Sequence, residues 1–287
     1  MKTVNLGGGV IAFENAIDIP QDLIIPIIDK LAEEWQKRNF TIVNDENGYP
    51  SHAINEGGFI YTLELMNESP IRVQMLEHSF FKECEKAIYK CLLNYIEIFP
   101  ALLQCVWWKS AGHILKYNTG AALGLHCDND VNYRYGSFPA TEHATRNVVS
   151  CLIYFNDCTD DMDDKNTKYG FSGGQMTIPY FNISIAPKKG TIVFMPANYL
   201  GAHEIHRVTS GSRYSYLSWF AQGSEYPEKG INPRHEESED GIIDGQFWVK
   251  TIIDDYQNYI KTKYADAPEI SGKLFQIESR AYDHENK

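Results

Sequence analysis

The chain has 287 residues, 43% of them hydrophobic, and carries a formal charge of -12 from 38 acidic and 26 basic side chains. That apolar content supports a packed core and excludes a largely disordered chain. The charge argues against nucleic acid as the main partner, because phosphate binding needs clustered Lys and Arg; it permits a cationic or neutral substrate and equally describes a soluble surface.

Residues 1–19 read as a short strand and turn, with Gly7-Gly8-Gly9 leading into Val10-Ile11-Ala12-Phe13. Ile24, Ile27, Ile28, Leu31 and Trp35 then recur at helical spacing, and Pro26 suits the first turn of that helix. Residues 41–70 read as irregular, with turn signals at Asn47-Gly48 and Gly57-Gly58. Val73, Leu76, Phe80, Cys84, Ala87, Ile88, Cys91, Leu92 and Tyr95 form the apolar stripe of a stronger helix, ended by Pro100. From about residue 104 the texture changes to short segments rich in Val, Ile and aromatics, at 104–117, 147–155, 175–178, 184–186, 191–195, 204–209 and 214–221. Helices followed by many short strands predict an α+β chain with a mainly β core: a double-stranded β-helix, or jelly roll, with packed N-terminal helices.

The expected organisation is an N-terminal strand and helices over 1–103, a jelly-roll core over 104–225 and a C-terminal extension with one helix over 226–287, all in one structural domain. Val249, Ile252, Ile253, Tyr256, Tyr259 and Ile260 carry that last helix, and the chain from Pro268 reads as an extension or loosely held tail. Two connections, 129–146 and 156–173, exceed what a turn needs. The second carries Asp157, Asp160, Asp161, Asp163 and Asp164, read as a solvated acidic loop, with attraction of a lysine- or arginine-like group as the alternative.

The six cysteines show no CxxC pair, and no signal peptide precedes them, so free thiols in a reducing cytoplasm are expected. No apolar run approaches the ~20 residues of a membrane span.

One constellation carries chemistry. His126 and Asp128 are two apart, so on an extended backbone both side chains point to one side, with Cys127 turned away as a buried thiol. Two histidines and a carboxylate on one face of a metal leave the other face open for co-substrate and O2. Spacing alone leaves the second histidine open between His203 and His206, and Arg213 downstream offers a fixed cation.

The segment His203-Glu-Ile-His-Arg-Val-Thr-Ser-Gly-Ser-Arg213-Tyr-Ser resembles the closing motif of 2-oxoglutarate/Fe(II)-dependent oxygenases of the prolyl 4-hydroxylase-like branch. The likeness covers roughly residues 104–222. It departs from many relatives at Val208-Thr209, where those have a proline nearby. The resemblance implies that His126, Asp128 and His203 are the metal ligands and the catalytic centre. It implies that Arg213 binds the co-substrate, with Ser215, Tyr117 and Tyr154 completing its hydrogen bonds, and it likens Gly173-Gly174-Gln175 to a Gly-Gly-led strand of the fold. Fe(II), 2-oxoglutarate and O2 follow, with ascorbate as a supporting reductant. The implied reaction is hydroxylation of an unactivated C–H bond of an amino acid, peptide or related small molecule, with succinate and CO2 as co-products. Halogenation is disfavoured, because halogenating relatives have a small residue where Asp128 stands. Cyclisation or desaturation by the same oxidant stays open. The rival readings are a cupin-like metal protein, which has no need of Arg213, and a binding module with a chance HxD. The expected partner is the small-molecule or peptidyl substrate, with no nucleic acid and no membrane; nothing in the sequence sets an oligomeric state.

Overall fold

Gly7, Gly8 and Gly9 all take positive φ. This left-handed stretch turns the chain tightly between β1 (Lys2–Gly7) and β2 (Val10–Glu14). The computed structural model describes residues 1–73, 78–106, 108–109, 112–129, 146–160, 167–222, 247–248 and 252–269.

Helix α1 (Gln21–Asn39) buries Ile24, Ile25, Ile28 and Ala32. It starts earlier than its periodicity predicts, so Pro26 lies inside the helix, in the second turn rather than the first. Asp22 in the first turn complements the helix dipole and helps to fix the earlier start. The stretch 41–70, expected to be irregular, is ordered. Strands β3 (Phe40–Asn44), β4 (Pro50–Asn55) and β5 (Ile60–Thr62) form an antiparallel meander, and α2 (Leu63–Glu68) follows. Its two turns are the Asn47-Gly48 and Gly57-Gly58 signals. The strands leave no mark in the sequence because Ala53 alone among their residues is buried, which erases the alternation that marks a half-buried strand. Thr62 caps α2 by accepting from the Leu65 amide at 3.1 Å.

Val73 belongs to β6 (Ile71–Val73), not to the next helix, and Leu76 lies outside the described residues. Helix α3 (Ser79–Ile98) buries the expected stripe of Cys84, Ile88, Cys91, Leu92 and Tyr95. The segment 104–117 divides into β7 (Trp108–Lys109) and β8 (His113–Tyr117), followed by β9 (Leu123–His126) and β10 (Arg146–Tyr154). Next come β11 (Ser172–Gly173), β12 (Met176–Ile178), β13 (Ile183–Ile185) and β14 (Ile192–Pro196). The segment 204–209 also splits, into β15 (His203–Ile205) and β16 (Val208–Ser210), which join different sheets. The chain then forms β17 (Arg213–Gln222), β18 (Phe247–Trp248) and α4 (Ile252–Lys263).

Two compact units emerge. The first holds residues 1–78, 112–130 and 150–218. Its major sheet runs β1-β2-β14-β10-β17-β8-β6 and its minor sheet β13-β12-β15-β9. The strand pairings given within both are antiparallel, the arrangement of a double-stranded β-helix. Burial of Phe13, Cys151, Ile153, Ile192 and Phe194 supplies the core of the major sheet. Helix α1 covers one face of that sheet, where Asp29 accepts from Tyr214 Oη (2.7 Å) and pairs with Lys116 Nζ (2.8 Å). Alternation along β8 and β17 therefore turns His113, Leu115, Tyr117, Arg213 and Ser215 to the other face. The second unit holds residues 79–111, 131–149 and 219–287. In it α3 meets α4 through Tyr89 and Asp255 (2.5 Å), and Lys109 and Glu85 form a wholly buried ion pair at 2.5 Å.

All six cysteines are free thiols. Among the described residues no helix is long and apolar enough to cross a membrane.

Candidate metal and co-substrate site

Strands β9 and β15 are antiparallel neighbours, with His126 and His203 as register partners. Directly opposed residues share a face, with Cβ atoms about 4.5–5.5 Å apart. Pairing alone thus delivers two imidazoles side by side, their ring centroids 4.4 Å apart. Asp128 follows in the turn that leaves β9, with Oδ1 3.5 Å from His126 Nε2. One ligand atom from each of His126, Asp128 and His203 lies within 4.8 Å of the others.

The backbone sets the donor atoms. His126 Nδ1 lies 2.8 Å from the Gly124 carbonyl, and His203 Nδ1 lies 3.0 Å from that of Gly201. Each bond holds the proton on Nδ1 and leaves Nε2 with its lone pair free for a cation. The Gly201 carbonyl is held firmly, since a Cβ there would sit 1.8 Å from the Pro196 oxygen. Burial lowers the His203 pKa, against the opposing pull of Asp128, and so favours the neutral ligand form. Asp128 is oriented too: its Oδ2 accepts from Ser150 Oγ at 2.5 Å, which leaves Oδ1 for a metal. His206 takes no part in this cluster. It is exposed, with Nε2 3.2 Å from Thr177 Oγ1 and 3.6 Å from Glu204 Oε1.

Arg213 is a register partner of Tyr117 on β8 and is wholly buried. Its guanidinium carbon lies 4.7 Å from the Tyr117 ring centre and 5.4 Å from that of Tyr154. Nη1 donates to Ser215 Oγ at 3.3 Å, whereas Nε and Nη2 meet no acceptor within hydrogen-bonding geometry among the described residues; the Tyr117 and Tyr154 phenols are the polar groups that face the guanidinium. Burial raises the pKa of both phenols, so both stay protonated donors. Gly174 makes room for the group: with φ +67°, it has no side chain to press on Arg213 Cδ, which a Cβ would meet at 3.1 Å. A buried cation with idle donors lacks an anionic acceptor. The terminal carboxylate of a 2-oxo dicarboxylic acid is such an acceptor, and two imidazoles with one carboxylate form the donor set that suits Fe(II). The residues therefore fit both groups.

Residues 112–221, the stretch that carries every one of these side chains, match the family model of the 2OG-Fe(II) oxygenase superfamily. They form a 2OG-Fe(II) oxygenase domain. Fe(II) is the cofactor of this oxygenase, with 2-oxoglutarate and O2 as co-substrates. Among solved structures, the chain is similar to a viral collagen prolyl hydroxylase of Paramecium Bursaria Chlorella virus-1 (14% identity, TM-score 0.46, 75% of this chain and 96% of that one). It is also similar to a prolyl-4-hydroxylase of Pseudomonas putida (14%, 0.44, 75% and 94%). A third likeness is to a Trichoplax adhaerens prolyl hydroxylase in complex with a hypoxia inducible factor peptide fragment (14%, 0.44, 80% and 88%). No curated protein matches the chain significantly.

The structure thus brings together the side chains that the resemblance assigns to metal and co-substrate, the former around the His126–His203 pair and the latter around Arg213, and leaves His206 outside. Two contributors escaped notice. Ser150 is the one aliphatic hydroxyl in the run 147–155, and a buried hydroxyl in such a run needs a partner. Gly174 marks only the opening of a strand in the sequence, and its role as the space beside Arg213 is visible in the fold alone. The acidic loop is partly committed elsewhere. Asp157 accepts from the Lys189 amide and Asp160 from the Gly173 amide, each at 2.8 Å, while Asp161, Asp163 and Asp164 lie outside the described residues.

Proposed function

We propose that this oxygenase hydroxylates an unactivated C–H bond of an amino acid, a peptide or a related small molecule, releasing succinate and CO2. In this reading His126, Asp128 and His203 hold Fe(II), and Arg213, with Ser215, Tyr117 and Tyr154, holds the distal carboxylate of 2-oxoglutarate. The bound iron, 2-oxoglutarate and O2 supply the oxidising power. The chain supplies position. Nδ1–H bonds aim both imidazoles, Ser150 restrains the carboxylate, and burial of Arg213 excludes water from the co-substrate's anionic end. Retention of Asp128 keeps a carboxylate where halogenating relatives leave room for chloride, which favours hydroxylation.

The observation that carries the reading is the buried Arg213, with idle Nε and Nη2, in the same unit as a three-ligand cluster and close enough for its charge to act on His203. The test is substrate-stimulated succinate release from a panel of amino acids and peptides, run with Asp128→Ala, His203→Ala and His206→Ala. Loss of succinate in the first two variants and retention in the third is expected. Turnover that survives Asp128→Ala would remove the triad, and loss confined to His206→Ala would shift its register.

A further inference from the structure

We infer that the substrate of this oxygenase presents a carboxylate, and that Arg72 receives it. This rests on the oxygenase reading and narrows its substrate class.

The argument starts from strand register. Arg72 on β6 opposes Leu115 on β8, and Leu115 opposes Ser215 on β17. Opposed residues in an antiparallel sheet share a face, so Arg72, Leu115 and Ser215 form one row, next to the row of Tyr117 and Arg213. Two strand spacings put Arg72 about 10 Å from Ser215 along the backbone of that row. Ile71 and Val73, its neighbours, point the other way and are buried, whereas Arg72 is exposed. It therefore stands on the face that carries the co-substrate residues, at an edge open to solvent.

Its electrostatics agree. The Arg72 charge acts on His113, the buried residue two before Leu115, so its field reaches the face that carries the co-substrate residues. Partial burial lowers its own pKa, the mark of a cation already giving up some water. Among the described residues it has no ion pair and no hydrogen bond, while Arg207, another exposed arginine, pairs with Glu68. On a chain of charge -12, which repels anions at long range, an unpaired guanidinium on the site's face is the local feature that would hold one. Its fork matches a carboxylate geometrically, and it leaves the C–H to be oxidised free to face the metal.

The experiment uses the full chain loaded with Zn(II) and 2-oxoglutarate, which binds without turnover. Calorimetry is run on free L-amino acids and carboxylate-terminated tripeptides, each beside its C-terminal amide. In the wild type, acids should bind about ten- to a hundredfold more tightly than amides. Arg72→Gln should erase that preference, Arg72→Lys should keep part of it, and 2-oxoglutarate affinity should not change in either. Three results overturn the proposal: equal binding of acids and amides, a preference that survives Arg72→Gln, or no binding of any acid by protein that binds 2-oxoglutarate. Loss of 2-oxoglutarate binding in Arg72→Gln would instead give Arg72 to the co-substrate, which also overturns it. A wild-type protein that fails to bind 2-oxoglutarate fails at the parent reading, and this separates the two.

Discussion

Replacing Arg213 by methionine should leave the ligand-free protein as stable as before, or more so, while it destroys 2-oxoglutarate binding. The two effects have opposite sign for one reason. Nε and Nη2 are buried without acceptors among the described residues, and each idle buried donor costs about 1–3 kcal/mol, more when charged. The rings of Tyr117 and Tyr154, 4.7 and 5.4 Å from the guanidinium carbon, return part of that cost, at about 0.5–2 kcal/mol each. Exchange of buried ions for apolar side chains is often neutral or stabilising by about 1–4 kcal/mol. At about 2–4 °C per kcal/mol for a domain of this size, the expected Tm is unchanged or higher by up to about 10 °C.

Bound 2-oxoglutarate reverses the balance. Its carboxylate would satisfy both donors, and truncating one side of such a pair costs about 2–5 kcal/mol, so the affinity should fall by about thirtyfold or more. Thermal melts with and without co-substrate read both quantities. At a hundredfold excess over the wild-type Kd the wild type gains about 2.7 kcal/mol from ligand, and Arg213→Met should gain about 0.9 kcal/mol at most. A drop in Tm of more than about 5 °C without ligand, with the 2-oxoglutarate shift retained, would refute the reasoning. It would mean that the guanidinium is satisfied by the fold itself.

Three further outcomes are expected. Ser150→Ala should weaken Mn(II) binding about tenfold, the usual price of losing an orienting partner, with little change in Tm; Ser150→Thr should restore it, and unaltered Mn(II) affinity in the alanine variant would detach Ser150 from the metal site. Lys109→Met strands the buried Glu85 carboxylate, so denaturant unfolding should show a loss of about 3–5 kcal/mol, and Glu85→Leu with Lys109→Met together should recover most of it. Burial, then the Arg72 charge, hold the His113 pKa down at about 3, against an ordinary value of 6.5. The unfolded chain therefore binds the proton first on acidification. The stability tied to His113 is present above pH 6.5 and drains as the pH falls towards 3, by on the order of 5 kcal/mol. Urea midpoints over that range should fall less steeply in His113→Gln than in the wild type, and parallel curves would count against the assignment.

How much of this was legible in the sequence depends on the range of the interaction that sets each feature. Helix α3 was readable because its stripe is local and repeats every turn, from Cys84 to Tyr95. The β3-β4-β5 meander was not, because its strands bury few side chains and only the glycine turns leave a mark. The segment 204–209 looked like one strand, since nothing local shows that β15 pairs with β9 and β12 while β16 pairs with β11. His126, Asp128, His203 and Arg213 stood out through their chemistry and a motif. Ser150 and Gly174 did not, because a serine or a glycine carries no signal until its neighbour in space is known.

Arg72 is the extreme case, and it shows why register is the level at which such a site is specified. In sequence it is a charged residue between Ile71 and Val73, which reads as an exposed point on a short strand. A one-residue slip of β6 against β8 would turn Arg72 under α1 and bring Ile71 and Val73 onto the face of Arg213. Burial forbids that slip, because Ile71 and Val73 are 3% and 4% exposed in the observed register, and a slip would trade that burial for a guanidinium under a helix. The same two apolar side chains that stabilise the sheet therefore decide which face the cation takes. Core packing and substrate choice are in this way one constraint: substitutions at Ile71 or Val73 that loosen the register should blur the preference for acids over amides without touching any group that meets the substrate.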